Sequence, residues 1–435
     1  MSDPVKKKKW FRIPAFLLAL FTIGQIISFT AVQRSHRKNG YYWPHFYNEL
    51  PENSVDIVIM GNSHANTTFI PEIFDDILGW ETIHVNTSGE SIYQTYFEYQ
   101  EVLRRQNPEV VIIETFPIYA GRYRGELLPW NFSFFYAMPA GVKKLAYAHQ
   151  FFSGDDLLHF YLPYTLRHAA WKKPYEALNN TLNELRDLKG RLVDGRAYEF
   201  PDKGYVNYLK SLLPGKLEGL AEGSGDACTV DDLDDRLKVV EDILQIDREQ
   251  PEALLFIESA QYLNPYEPCR ERVMQAMEAN EGDYVQLFPG QPRPLLWFGD
   301  EEHLTQFGAT AASIETALIL AGRMDTPVNE QQLDFYRQFV FESYDLDIRQ
   351  DSLQIALLPA ESALAEELVF NWTVTWNGEE VFTNSETGQT AIAVPLAGDA
   401  VEYFIRVVIH DQDGRYYLRG GFDLSELPGG SGGTG

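Results

Sequence analysis

The stretch Val55-Asp56-Ile57-Val58-Ile59-Met60-Gly61-Asn62-Ser63-His64 limits the chain to few architectures. A short, β-branched apolar run with polar residues on either side reads as a buried strand. Gly61 marks a tight turn beyond it, so Ser63 falls past the strand's carboxyl end, at the start of a helix-like segment. Open α/β sheets place their sites at the carboxyl ends of strands. A serine there is exposed and faces the positive end of the following helix. Taken alone, Ser63 reads more simply as a helix cap than as a nucleophile.

The alternation continues. Thr82–Asn86 reads as a short strand, Ser91–Gln106 as a helix and Val110–Thr115 as the most apolar strand. Repeated βαβ units imply a parallel sheet, hence an α/β fold. A long insertion, 117–250, interrupts the pattern. It opens with aromatics (Tyr119, Tyr123, Trp130, Phe132, Phe134, Phe135, Tyr136), reads helical over Tyr175–Leu192, and ends in an acidic helix, Asp231–Gln245. The sheet resumes at Ala253–Ile257 and Tyr284–Phe288, and Ala309–Met324 forms a helix. The α/β domain therefore covers 53–326.

A connecting helix is expected over 329–342, followed by an all-β domain over 345–426. There, Phe370, Trp372, Val374 and Trp376 alternate with Asn371, Thr373 and Thr375. Asn377-Gly378 and Asp413-Gly414 are hairpin signals, and short strands separated by turns suggest a small β-sandwich. The tail, 429–435, holds only Gly, Ser and Thr and reads as a linker outside the fold.

At the other end, Lys6–Lys9 and Arg12 within residues 1–12 form a basic tail before the apolar run Ile13–Val32. A run of about 20 apolar residues matches one transmembrane helix. The lysine cluster favours a cytoplasmic N-terminus, with everything after the span extracytoplasmic at the plasma membrane. A cleaved signal would leave the compartment unchanged.

The net charge is −27. The first 12 residues carry five basic groups and one acidic group, so the remainder carries −31. Such a body excludes nucleic acid as a partner, because phosphates need a basic face. Cys228 and Cys269 are the only cysteines. Two are too few for a structural zinc site, which leaves one disulfide or two free thiols. There is no Gly-rich phosphate loop with a lysine and no His/Glu metal spacing, so neither a metal nor an organic cofactor is expected.

Three strand-end pieces can form one catalytic constellation: Ser63, Gly89 in Asn86-Thr87-Ser88-Gly89-Glu90, and Asp300-x-x-His303. A serine hydroxyl needs a general base within hydrogen-bond reach, and His303 can serve. Asp300, three residues earlier, can fix the imidazole tautomer. Backbone N–H groups of Ser63 and Gly89 are candidate oxyanion-hole donors. His64 reads as a polar residue at a helix start, Glu301 and Glu302 as solvated turn residues, and Lys172-Lys173 as a solvated helix face. The aromatics of 119–136 read as packing rather than as a sugar platform.

These blocks resemble the SGNH (GDSL-like) hydrolase superfamily. Gly61-Asn62-Ser63-His64 looks like its nucleophile block and Asn86-Thr87-Ser88-Gly89 like its second block. Asp300-Glu301-Glu302-His303-Leu304-Thr305, followed by Gly308, looks like its last block. The resemblance covers about 53–325 and implies a three-layer parallel-sheet domain with Ser63, Asp300 and His303 as a catalytic triad. The family's third block supplies an Asn to the oxyanion hole. Here the third strand ends Ile113-Glu114-Thr115-Phe116-Pro117, leaving Asn62 or Thr115 as the candidate substitute.

That departure, with one N-terminal anchor and a large insertion, resembles the membrane-anchored DltD-like and alginate-acetylation branch. The resemblance implies a serine O-acyltransferase that works beside a multi-spanning membrane O-acyltransferase on a cell-surface glycan or teichoic-acid-like polymer. A carbohydrate O-acetylesterase and a non-catalytic docking subunit are the alternatives.

Overall fold

The computed structural model describes residues 43–119, 132–161, 203, 205–213, 230–248, 253–260, 267–290, 294–300, 302–349, 352–360, 364–395 and 403–426, with a few isolated positions elsewhere. The chain divides into two compact units, one comprising 1–49 and 123–199, the other 50–122 and 200–435.

In the first unit the helix Trp43–Asn48 lays Trp43 against Phe134, with ring centroids 4.6 Å apart. Phe135 packs against Phe151, Phe152 and Phe160. The described aromatics of the early insertion thus pack together, as expected. The expected span Ile13–Val32 and the helical reading of Tyr175–Leu192 lie mostly outside the described residues. Among the described residues no helix is long and apolar enough to cross a membrane.

The second unit is built on a five-stranded parallel sheet in the order β2-β1-β3-β4-β5. Its strands are β1 (Ile57–Met60), β2 (Thr82–His84), β3 (Val110–Glu114), β4 (Ala253–Glu258) and β5 (Asp283–Gln286). β1 and β3 are buried at every position. This is why their residues form an apolar run rather than an alternating one: both faces are covered by helices. Ile57, Ile59, Val110, Ile112, Leu255 and Ile257 point to one face, in a core with Ile73, Phe74 and Ile77 of α2 (Pro71–Leu78). Helix α6 (Gln306–Met324) packs on that side too, tied to α2's start by Ile70 N–H donating to Ser313 Oγ at 2.8 Å. The opposite face lies under α3 (Ile92–Arg105), α4 (Val230–Asp247) and α5 (Glu267–Ala279).

The expected connecting helix is shorter than its sequence reading. It runs Glu330–Arg337 as α7, and the chain is already a strand at Phe341. The apolar residues Phe339 and Phe341 are buried in a shared core and do not extend a helical stripe. Two antiparallel sheets follow, β10-β7-β6 and β12-β11-β8-β9. They use β6 (Phe341–Ile348), β7 (Ser352–Pro359), β8 (Val369–Trp376), β9 (Glu379–Thr387), β10 (Ala391–Pro395), β11 (Tyr403–His410) and β12 (Tyr417–Asp423). Asn377 and Gly378 both take positive φ, 50° and 80°, as a type I′ hairpin turn requires. Phe370, Trp372 and Val374 are fully buried, and Phe341 meets Phe370 while Tyr344 meets Phe422 across the sheets. These side chains and the α2–α6 face of the parallel sheet form one continuous apolar cluster.

Candidate active site

Because β2, β1 and β3 are adjacent and parallel, Ser63, Gly89 and Thr115 all leave the sheet at the same carboxyl edge. Gly61 makes the first turn with φ +134°, a conformation side chains rarely adopt. A Cβ there would also stand 3.0 Å from Glu114 Cβ and 3.2 Å from Ala65 Cβ. The turn places Ser63 at the first position of α1 (Ser63–Thr68), which Asn62 caps: its Oδ1 accepts from His64 N–H at 3.0 Å. The amide oxygen of Asn62 is therefore committed to the helix start.

The second turn, Thr87-Ser88-Gly89-Glu90, closes with Glu90 N–H donating to Thr87 O at 3.0 Å. Gly89 has φ +75° at its third position, as a type II turn needs. Buried Glu90 reinforces it by accepting from Thr87 N–H at 2.7 Å and Thr95 Oγ1–H at 2.8 Å. Burial, with the nearby Glu98 carboxylate, pushes the Glu90 carboxyl well above its ordinary range. Asn66 of α1 reaches this turn, its Nδ2 donating to Ser88 Oγ at 3.4 Å.

His303 arrives on a separate device. Trp297–Thr305 folds back on itself: Gly299 N–H donates to His303 O at 2.9 Å, Thr305 N–H to Trp297 O at 2.8 Å, and Phe298 bridges Leu304. At its tip Asp300 Oδ1 accepts from Glu302 N–H at 2.9 Å and His303 N–H at 2.7 Å. The carboxylate thus shapes the turn that carries its own partner. His303 Nδ1–H donates to Asp300 Oδ2 at 2.9 Å, which leaves Nε2 to accept from Ser63 Oγ–H, also at 2.9 Å. Burial raises the Asp300 carboxyl, but the hydrogen bond and charge of His303 outweigh that and hold it below its ordinary value. Ser63, His303 and Asp300, 240 residues apart at the extremes of the first bond, are brought together as a relay.

Four further residues shape the site. Tyr208, within the insertion, lies parallel to the His303 ring. Its segment, 205–213, runs across the nucleophile helix, with Val206 N–H donating to Asn66 O at 2.9 Å and Leu212 N–H to Phe298 O at 2.7 Å. His64 is buried, stacked on Phe116 at 3.5 Å, with its ring centroid 4.9 Å from that of His303. Its Nε2 is 3.7 Å from Glu302 Oε2, beyond hydrogen-bond length. Burial lowers the His64 pKa to about 4, so it is neutral at pH 7. Glu302 is not a plain solvated turn residue: its interaction with His64 holds its carboxyl below the ordinary value.

Glu114 ends β3 directly beneath the nucleophile turn, fully buried. It accepts from Ser259 Oγ–H at 2.8 Å and Phe116 N–H at 3.0 Å, yet burial dominates and raises it to about 8. It was readable as a charged residue ending the most apolar strand. Tyr208 had no local signal, because its role depends on how the insertion returns. Thr115 Oγ1 is buried without a hydrogen-bond partner among the described residues.

Cys269 is buried and disulfide-bonded; Cys228, the chain's only other cysteine, lies outside the described residues.

No protein-family model matches the chain, and no curated protein matches it. Among solved structures, a Cellulomonas fimi endo-beta-1,4-mannanase double mutant aligns over 91% of this chain and 99% of its own, at 10% identity and a TM-score of 0.15. So slight a likeness carries no argument. The site itself carries the functional reading.

Proposed function

We propose that the chain is an SGNH-like serine O-acyltransferase, anchored in the plasma membrane by Ile13–Val32 with its site extracytoplasmic. In this reading it modifies a cell-surface polysaccharide or teichoic-acid-like polymer beside a multi-spanning O-acyltransferase. The relay Ser63 Oγ–His303 Nε2 and His303 Nδ1–Asp300 Oδ2 at the sheet's carboxyl edge carries this reading. The oxidised Cys269 supports an extracytoplasmic setting, where disulfides persist. The three-layer SGNH-like arrangement and the C-terminal β-sandwich are part of the same proposal.

Chemically, Ser63 Oγ attacks the carbonyl carbon of an acyl donor as its proton passes to His303 Nε2. The tetrahedral oxyanion is met by the N–H groups of Ser63 and Gly89, each of which is worth about 3–4 kcal/mol if aligned. Collapse breaks the bond to the leaving group, which takes the proton from His303, and leaves an acyl-Ser63 ester. A sugar hydroxyl then attacks that ester, again giving its proton to His303, and Ser63 is restored. The third-block Asn of the hydrolytic relatives is absent here, so its donor has to come from Asn62 Nδ2–H2, whose Oδ1 already caps α1, or from Thr115 Oγ1–H. A weaker oxyanion hole is compatible with transfer between esters, which is nearly thermoneutral. Water in place of the sugar gives the esterase alternative.

A fluorophosphonate probe tests the nucleophile. Wild type is expected to form one covalent adduct at Ser63, lost in Ser63→Ala and His303→Ala. An unlabelled wild type with an intact fold would overturn the catalytic reading in favour of a docking subunit.

A further inference from the structure

Away from the triad, a cleft of about 450 Å³ opens between α2, the segment entering 205–213, the start of α6 and β12. Its lining includes the charged Glu72, Asp75, Lys203 and Arg419, the amide of Asn207 and the aromatic Tyr417. Most of these charges are internally matched. Lys203 is paired with Asp75 and Glu81, and Arg415 with Asp411. Three groups are left over. The Arg419 side chain is exposed and has no hydrogen bond or ion pair among the described residues. Asn207 Oδ1 is a buried acceptor without a partner among the described residues. Tyr417 is 45% exposed, with its ring 5.2 Å from that of His410.

A guanidinium fork, a buried amide acceptor and a partly exposed aromatic ring suit one ligand chemistry. The fork takes an oxyanion bidentately. The amide oxygen calls for a hydroxyl or N–H donor, since a buried acceptor without one is costly. The ring offers a surface for the apolar face of a pyranose. Arg419 and Asn207 are held together by one residue: Gln306 Oε1 accepts from Asn207 Nδ2–H at 2.7 Å and from Arg419 N–H at 2.9 Å. Gln306 follows His303 by three residues and Asn207 precedes Tyr208, so two of the cleft's walls belong to the segments that hold His303.

We propose that this cleft is a subsite for an acidic sugar unit, with Arg419 on its oxyanion, Asn207 on a hydroxyl and Tyr417 under the ring. That the sugar belongs to the polymer served by Ser63 rests on the catalytic reading above; binding in the cleft does not. It would set the register of the polymer relative to the nucleophile.

The full chain is titrated by calorimetry with three probes: tetragalacturonate (a uronate source of the oxyanion), glucose 1-phosphate (a phosphate source) and neutral cellotetraose. Arg419→Ala and Tyr417→Ala change exposed side chains and leave the core intact. At least one anionic probe is expected to bind wild type and Ser63→Ala equally, and to lose about tenfold or more in affinity, the value of one charge-assisted contact, in Arg419→Ala. Which anionic probe binds identifies the source. No heat from either anionic probe at ~1 mM, equal affinity in Arg419→Ala, or cellotetraose binding as tightly as the acids would each overturn the subsite. Fluorophosphonate labelling of the same samples separates the two proposals. A protein that labels at Ser63 without binding the acids sinks the cleft alone; one that binds without labelling sinks the catalytic reading alone.

Discussion

Tyr208 lies parallel to His303, with ring planes 3° apart and centroids 5.0 Å apart. The His303 imidazole is thus held on three sides: Asp300 at Nδ1, Ser63 at Nε2, and an aromatic face contributed by the insertion. Burial, with the charges of Asp300 and Glu302, raises the phenol above its ordinary pKa, so Tyr208 is neutral throughout the working range.

Removing that wall frees the imidazole to tilt. Tyr208→Ala is expected to slow Ser63 labelling by up to about 100-fold, the cost of misplacing a reacting group by around 1 Å. Tyr208→Phe keeps the stack and is expected to label at nearly the wild-type rate. Labelling kinetics of the two variants measure the difference; equal loss in both would show that the hydroxyl, not the ring, matters.

Asp300→Asn should be far more damaging. Asn can neither stabilise the imidazolium nor enforce the productive tautomer, and a drop of about 10⁴-fold in turnover is expected. The Asp300 carboxyl is held below its ordinary value, so its contribution to folding is present above the unfolded value and lost as pH falls through the lower folded one. The thermal stability of Asp300→Asn is therefore expected to be closest to that of wild type in strong acid.

Glu114 works in the opposite sense. Its pKa rises from 4.5 to about 8, so between those values the unfolded chain gives up a proton that the folded protein keeps, and stability falls with rising pH. Glu114→Gln removes this slope. Its melting temperature relative to wild type should be higher at pH 8 than at pH 4. An unchanged difference would mean that Glu114 ionises freely in the folded state.

Buried neutral histidines set the acid limb. His64 and His84 each fall from 6.5 to about 4, both mainly through burial. From pH 6.5 down to about 4 the unfolded chain binds protons that the folded one does not, so stability drops across this window. His84 Nε2–H donates to Phe69 O at 2.8 Å, whereas both His64 ring nitrogens lack hydrogen-bond partners among the described residues. His64→Phe is thus expected to flatten the acid slope with little loss at pH 7, read from melting curves at several pH values.

Gly61→Ala tests the nucleophile turn. The added Cβ meets Glu114 and Ala65 in a backbone conformation that disfavours it. A loss of about 1–3 kcal/mol is expected, with slower labelling of Ser63 by the fluorophosphonate.

Much of this was legible from local chemistry. The all-buried β1 and β3, the Asn377-Gly378 hairpin and the Asp300-x-x-His303 turn are short-range signals, and the structure uses each as the residues suggest. What was not legible depends on long-range return of the chain. Tyr208 reaches His303 only because 205–213 crosses α1. The helix expected over 329–342 stops at Arg337 because Phe339 and Phe341 enter the shared core, a long-range demand that the local sequence does not carry. The cap that Asn62 Oδ1 gives α1 was likewise not read from the sequence, and it leaves the side chain's Nδ2–H2 able to donate.

The base-bearing hairpin continues into Gln306 and Phe307, and Phe307 packs directly on Gly420 of β12. The apolar cluster runs unbroken from the parallel sheet to both antiparallel sheets. A gene fragment ending after α6 would therefore encode an open wound rather than a smaller stable domain: Phe307 and its neighbours in the parallel-sheet half of the cluster would face water. Recombination could exchange surface loops here, but the C-terminal strands are inherited together with the histidine they support.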